Sequence, residues 1–320
     1  MITSEKKLAL KTYKENIGDS LKFRVNPDPE MGTGFFFMDS RSPEFPRLLE
    51  FLLEKNGKLK ASFLVSISRE GLAVSLPFAP FGGIWTSEKV KSDALETFIT
   101  QILEFLRVQG VKSIQIIQPP KPYVPQSDLI HNLLLKSGFE LRNMLSHQFF
   151  IGRKKIKKLV QEQASRIHKK ENESQVKIKT GAIQNFGFLE DIRSWNSKRG
   201  YEVTFDEKRL ITQVSEFPEN YFLISVIQAD QAIAHSLAVK LTKSSLYYYL
   251  SAADPKSKVK NLGDSLVNAL FSLAMEQKID LIDLGSSETN QQINHSLMYF
   301  KSRFSNDISN KISWYRKIEE

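Results

Sequence analysis

Asp283, Gly285, Ser286 and Lys301 are the residues of this chain whose types and spacing best suit chemistry. The stretch Gln277 to Phe304 reads QKIDLIDLGSSETNQQINHSLMYFKSRF. A carboxylate near the end of an apolar strand can orient or deprotonate an amine. Gly285-Ser286-Ser287 are small residues that let the backbone turn sharply. A cation set between aromatics, as in Tyr299-Phe300-Lys301, can balance an oxyanion or a phosphate. Strand end, turn and returning basic segment together make an anion site of the kind α/β proteins build. The plainer alternative is that Asp283 bonds to its own turn and Lys301 is a solvated lysine.

Other chemistries are excluded or weak. The chain has no cysteine, so thiolate metal sites, disulfides and a cysteine nucleophile are ruled out. Its five histidines are scattered without metal-ligand spacing, and no metal site is expected. There is no GxSxG, Walker A or GxGxxG sequence.

The elements that must position these residues are legible from periodicity. Helices are expected over 93–109, 128–137, 182–198, 206–216 and 261–277, and strands over 59–68, 72–76, 111–118, 139–150, 221–228, 232–241, 245–252 and 279–284. Tyr247, Tyr248 and Tyr249 must send alternate rings to opposite sheet faces. Ser42-Pro43-Glu44 reads as a helix start, and Phe45, Leu48, Leu49, Leu52 and Leu53 continue it at helical spacing to Gly57. The closing segment through Phe300 and Lys301 reads as extended, with its side chains alternating between core and groove. The loop Ser75 to Trp85 interleaves two prolines and two glycines with three aromatics. Phe81, Gly82, Gly83 and Trp85 then suit a flat or carbohydrate-like ligand, or simply the core.

At 320 residues the chain suits two domains of about 150 residues each. Shifting the numbering by 168 lays Phe98, Ile99, Ile102, Phe105, Leu106, Val111, Ile114 and Ile116 on apolar positions from Leu266 to Leu284. We read an N-terminal domain over 1–150, a basic connector over 151–180 and a second copy over 181–320. The net charge is +9, and residues 151–180 alone hold ten Lys or Arg against three Glu. Lys154, Lys155, Lys157, Lys158, Arg166, Lys169 and Lys170 thus form a candidate nucleic-acid-binding segment. The N-terminus lacks an apolar signal region and no run is long enough to span a bilayer. A cytoplasmic protein is expected, with peripheral contact at the inner membrane face left open.

Several stretches together resemble the FemAB/FemX family of peptidyl transferases, built from two GNAT-like domains. Ser42-Pro43-Glu44-Phe45 is similar to its SPEW segment, and Ser75 to Trp85 to its SPPFGDYGGP loop. Arg166 to Glu171 resembles its connector, Arg199-Gly200-Tyr201 its RKGY, and Asp283-Leu284-Gly285 with Tyr299-Phe300-Lys301 its closing DLGG…RFK. Ser286 stands where the second Gly of DLGG is usual, and Tyr299 where Arg is usual. The resemblance implies α/β architecture, with two tandem GNAT-like domains whose mixed sheets are flanked by helices. It implies transfer of an acyl or aminoacyl group to an amine of a cell-envelope precursor of peptidoglycan or exopolysaccharide. The donor would be aminoacyl-tRNA or acyl-CoA, the acceptor an anionic envelope precursor, and no cofactor is required. Lys301 and Asp283 would be catalytic; Arg199, Tyr247, Tyr249, Gly285, Ser286 and Tyr299 would bind substrate. Two alternatives stay open. Lys260-Asn261-Leu262-Gly263-Asp264-Ser265 is similar to the coenzyme A pyrophosphate loop of GNAT acetyltransferases, with Lys and Ser at altered positions. The same grooves could also serve a non-catalytic glycan- or RNA-binding module.

Overall fold

The repeat offset of 168 residues runs through the computed structural model. The structure describes residues 13–16, 21–27, 29, 42–87, 89–201, 205–289 and 292–318. In the first copy the repeat is α1 (Ser92–Val108), β7 (Ser113–Gln118), α2 (Ser127–Lys136) and β8 (Glu140–Ile151), after strands β1 (Tyr13–Asn16), β2 (Leu21–Pro27), β3 (Arg47–Lys55), β4 (Lys58–Ile67), β5 (Leu72–Val74) and β6 (Ile84–Thr86). A long helix α3 (Arg153–Ser174) follows. The second copy is β9 (Val176–Ala182), α4 (Gly187–Ser197), α5 (Glu207–Glu216), β10 (Tyr221–Gln228), β11 (Gln231–Thr242) and β12 (Ser245–Ala253). It continues with α6 (Leu262–Glu276), β13 (Leu281–Ser286), the short β14 (Glu288–Thr289) and β15 (Gln292–Ile293), α7 (His295–Ser302) and β16 (Asp307–Lys317). The offset carries β7 onto β13 residue for residue, α2 onto α7 and β8 onto β16. Sequence periodicity had traced the match only as far as β13.

The chain forms two compact units, each with its own core. In the first, β2, β3, β4 and β5 make an antiparallel run, and β5 pairs parallel with β7. The segment from Asn310 onward belongs to this unit, where β16 pairs antiparallel with β7. In the second, β9 to β12 run antiparallel and β12 pairs parallel with β13. Residues from Ser146 belong here, so β13 is flanked by the later half of β8. The two units therefore repeat one plan: antiparallel strands, a parallel crossover through a buried helix, then an antiparallel closing strand. The connector α3 joins the second core through Ile156, Leu159 and Val160.

Two expectations are corrected. Residues 42–57 are not a helix; Arg47–Lys55 is strand β3. All six residues from Leu48 to Leu53 are buried, and a strand covered on both faces contains the helical spacing by default. The segment around Lys301 is not extended but helical. Asn294 caps it, its Oδ1 accepting the Leu297 N–H at 2.9 Å.

No helix among the described residues is long and apolar enough to cross a membrane. A signal region at the N-terminus and the side chains of Arg166, Lys169 and Lys170 lie outside what the structure describes.

Candidate functional site

The parallel pair β12–β13 opens at one end. Ser245, Leu246 and Tyr247 pair with Leu281, Ile282 and Asp283, and there the pairing stops. β12 continues to Ala253 and β13 to Ser286, so the strands part beyond Tyr247 and Asp283. The register between β13 and β8 shifts between Asp283 and Ser286, and Gly285 takes φ +72°. A bulge of this kind re-aims the backbone that carries it.

Three side chains hold that bulge. Asp283 is fully buried, and its Oδ1 accepts the Gly285 N–H at 2.7 Å. His147 on β8, equally buried, donates its Nδ1–H to Asp283 at 3.1 Å from Oδ1. Lys301 reaches in from α7, and its Nζ donates to the Ser286 carbonyl. Lys301 is 7 % exposed, which corrects the expectation of a solvent-facing lysine. Burial pushes its pKa down to about 8, against a smaller upward pull from Asp283.

The Tyr247 ring and the Lys301 ammonium both lie close to Gly285. A Cβ built on Gly285 would lie 3.3 Å from Tyr247 Cε2, 3.6 Å from its hydroxyl and 3.7 Å from Lys301 Nζ. A phenol and an ammonium thus flank one backbone position that has no side chain. Burial, then the negative charge of Asp283, pushes the Tyr247 hydroxyl up, so it stays protonated and can donate. Tyr249 lies beside it on the same face at a ring separation of 5.9 Å, while Tyr248 turns into the helix-covered core.

The internal repeat isolates this chemistry. Lys301 corresponds to Leu133, a core residue of α2, and Asp283 to Gln115. In the first unit the equivalent opening is filled by the loop after β5. Ser75 N–H bonds to Gln115 O and Gly82 N–H to Ile117 O, and the Gln118 amide bridges both backbone groups of Ile84.

The remaining candidates divide. Phe81 is fully buried against Tyr123 and Trp85. A Cβ on Gly82 would lie 2.6 Å from Ser75 O, and one on Gly83 2.5 Å from Gln118 Oε1, so both glycines permit close packing. Arg199 is exposed just past α4, whose Asn196 donates to Ser251 O toward the open end of β12. Tyr299 is exposed and lines a separate groove of about 380 Å³ with Gln148, His295 and Met298. Residues two apart on a helix point away from each other, so Tyr299 and Lys301 cannot share a site. Lys154, Lys155, Lys157 and Lys158 are exposed on α3. His147 was missed because nothing in its sequence surroundings marks it; only strand pairing brings it to Asp283.

At the start of α6 the Phe300 ring lies 3.1 Å from where a Gly263 Cβ would be. Arg303 forks onto Asp264 at 2.9 and 3.3 Å.

No family model and no curated protein matches the sequence. Solved structures do. FemX aligns at TM-score 0.60 and 10 % identity, over 83 % of this chain and 87 % of that one. A conserved protein of unknown function from Bacteroides thetaiotaomicron aligns at TM-score 0.52 and 12 % identity, over 89 % and 90 %. The C-terminal domain of a putative lysylphosphatidylglycerol synthetase from Agrobacterium fabrum aligns at TM-score 0.50 and 9 % identity, over 82 % of each. The chain has a FemX-like fold, a mixed α/β architecture built from two units of one plan.

Proposed function

We propose that the protein is an acyl or aminoacyl transferase that joins a carbonyl donor to an amine, with its centre at the open end of β12–β13. The observation that carries this is Lys301: a buried ammonium where the repeat's other copy has a core leucine, close to Gly285 together with the Tyr247 phenol. A charge is buried at such cost only where something else is gained.

In this reading the acceptor amine attacks the donor carbonyl, and a C–N bond forms as the carbonyl oxygen becomes an oxyanion. Lys301 Nζ–H and Tyr247 O–H supply donors to that oxygen. The tetrahedral adduct then expels the donor's alkoxide, which leaves with a proton given up by the amine. Most of the acceleration comes from holding the two reactants together. Asp283 is assigned a positioning role, because it is fully buried and engaged by Gly285 and His147.

The donor favoured is an aminoacyl ester carried on RNA, consistent with the FemX-like fold and the basic α3. Coenzyme A has less support: Phe300 covers Gly263, and Arg303 is engaged with Asp264 at the turn that would hold its pyrophosphate. The acceptor is an amine of an anionic envelope precursor, met in the cytoplasm.

The test is transfer of a labelled aminoacyl group from aminoacyl-tRNA to a UDP-linked muropeptide, with acetyl-CoA run in parallel. Transfer lost in Lys301→Met and kept in Lys256→Gln supports the site. Activity with acetyl-CoA alone overturns the RNA-borne donor, and equal activity of the two variants overturns the site.

A further inference from the structure

The internal repeat singles out a groove that the proposed reaction does not use. In the first unit Gln115 pairs with Tyr315, and in the second its counterpart Asp283 pairs with Phe149. The residue before each closing-strand partner therefore takes the same place: Trp314 in β16 and Gln148 in β8. The helices correspond too, so Ile130, His131 and Leu134 of α2 match Met298, Tyr299 and Ser302 of α7. In the first unit this place is full. Trp314 is 4 % exposed in one core with Ile130 and Leu134. Its Nε1–H donates to His131 Nδ1 at 2.9 Å.

In the second unit the same place is open. Gln148, Met298, Tyr299 and Ser302 line the groove of about 380 Å³, together with Ile308. That volume is within the range of small-molecule sites, about 300–1,000 Å³. An amide and a hydroxymethyl group stand where the other copy has an indole and a leucine, so space for a ring is left. Tyr299 and Ser302 are exposed, so the groove is reached from solvent. Its walls suit an aromatic ring, since Met298 offers a thioether and Tyr299 a phenol. Gln148 gives the groove a polar anchor. It is 2 % exposed, and its Nε2–H donates to the Met298 carbonyl at 3.2 Å. That bond fixes the amide with Oε1 as the remaining acceptor. Oε1 is shielded from solvent and accepts no hydrogen bond from the described residues. A buried acceptor left unpaired is costly, and a donor brought by a ligand relieves the cost.

We propose that this groove binds a small aromatic heterocycle with a ring N–H, an indole-type molecule that takes the place of the Trp314 side chain. Its ring packs on Met298 and Tyr299, and its N–H donates to Gln148 Oε1. The first unit makes the same combination within the chain, an indole ring in the core with its N–H bonded to the neighbouring helix. A hydrocarbon ring would fill the space and leave the Gln148 oxygen unpaired. The site is distinct from the open end of β12–β13, because Tyr299 and Lys301 leave α7 in different directions. It stands whether or not the transfer reaction does.

The test is isothermal titration calorimetry of the full chain with indole and with N-methylindole, which lacks the N–H. Saturable binding of indole is expected, with N-methylindole about fivefold weaker, the worth of one neutral hydrogen bond. Ser302→Phe puts a ring into the groove from an exposed position and is expected to weaken indole binding at least about tenfold. Ser296→Phe, exposed on α7 outside the groove, serves as control and should bind as the wild type does. Gln148→Leu removes the acceptor and should bind the two ligands equally. Absence of saturable indole binding overturns the proposal, as does binding that Ser302→Phe leaves unchanged. N-methylindole held by the wild type as tightly as indole also overturns it. Binding of a Trp-containing peptide where indole does not bind would make the groove a docking pocket for a partner chain and overturn the small-molecule assignment. Indole binding that is lost in Ser302→Phe while no aminoacyl transfer is detected would remove the proposed reaction and leave this site standing.

Discussion

His147 Nδ1 lies 3.1 Å from Asp283 Oδ1, and the same oxygen accepts the Gly285 N–H at 2.7 Å. One buried carboxylate thus ties strand β8 to the bulge whose next carbonyl holds Lys301. The chain of contacts runs from His147 through Asp283 and Gly285-Ser286 to the ammonium. Asp283→Leu leaves two buried donors without an acceptor, and each is expected to cost about 1–3 kcal/mol. Asp283→Asn keeps an acceptor for Gly285 but removes the charge. Since Asp283 raises the Lys301 pKa, that variant should move the Lys301 titration below about 8. The measurement is the pH at which Lys301 becomes reactive to an amine-directed label; no downward movement would uncouple the two residues.

Gly285 has φ +72°, and an added Cβ would meet Tyr247 and Lys301. Gly285→Ala should therefore cost about 1–2 kcal/mol from the left-handed backbone alone. It should also push Tyr247 and Lys301 apart and reduce transfer more than tenfold. Chemical denaturation and a transfer assay read the two effects separately. A variant with wild-type turnover would show that nothing reacts in the space above Gly285.

Most helices and the antiparallel strands were legible because their apolar residues recur at a period that only one structure satisfies. The misreadings have the same cause. β3 is buried on both faces, and a run such as Leu48-Leu49-Glu50-Phe51-Leu52-Leu53 fits either period. α7 is a short helix of eight residues with a weak apolar stripe, and its cap at Asn294 was passed over. Lys301, Asp283 and Gly285 stand out in the sequence because a charge and a glycine are conspicuous at the end of an apolar strand. His147 and the groove beside Gln148 do not, because both depend on which strands pair. Sequence spacing also placed Tyr299 beside Lys301, which a helix does not allow.

The loop after β5 provides a contrast between packing and binding. Gly82 and Gly83 approach Ser75 and Gln118 too closely for any side chain. Gly82→Ala should overpack this contact and cost about 1–3 kcal/mol. Ligand affinity of the folded fraction should stay unchanged. Thermal melts and binding isotherms below the melting temperature check this. A drop in affinity without a drop in melting temperature would return the loop to the list of ligand contacts.

Lys301 itself should destabilise the protein that depends on it. Its pKa falls from the ordinary lysine value of 10.5 to about 8 because burial disfavours the cation. Between those pH values the unfolded chain binds more protons than the folded one, so stability rises with pH. Below pH 8 the full penalty applies, about 3 kcal/mol for a shift of this size. Lys301→Met keeps an unbranched side chain, one atom shorter, and removes the charge. It also forfeits the bond to Ser286 O, so a net gain of about 1–3 kcal/mol is expected at pH 7. That gain should shrink as the pH is raised from 8 toward 10.5, while transfer is lost throughout. In the wild type, transfer that needs the ammonium should decline as pH rises through about 8. Denaturant titrations of both proteins at several pH values give the difference directly. A difference that does not vary with pH would mean that Lys301 is not held charged in a buried site, and the role assigned to it in catalysis would fall with it.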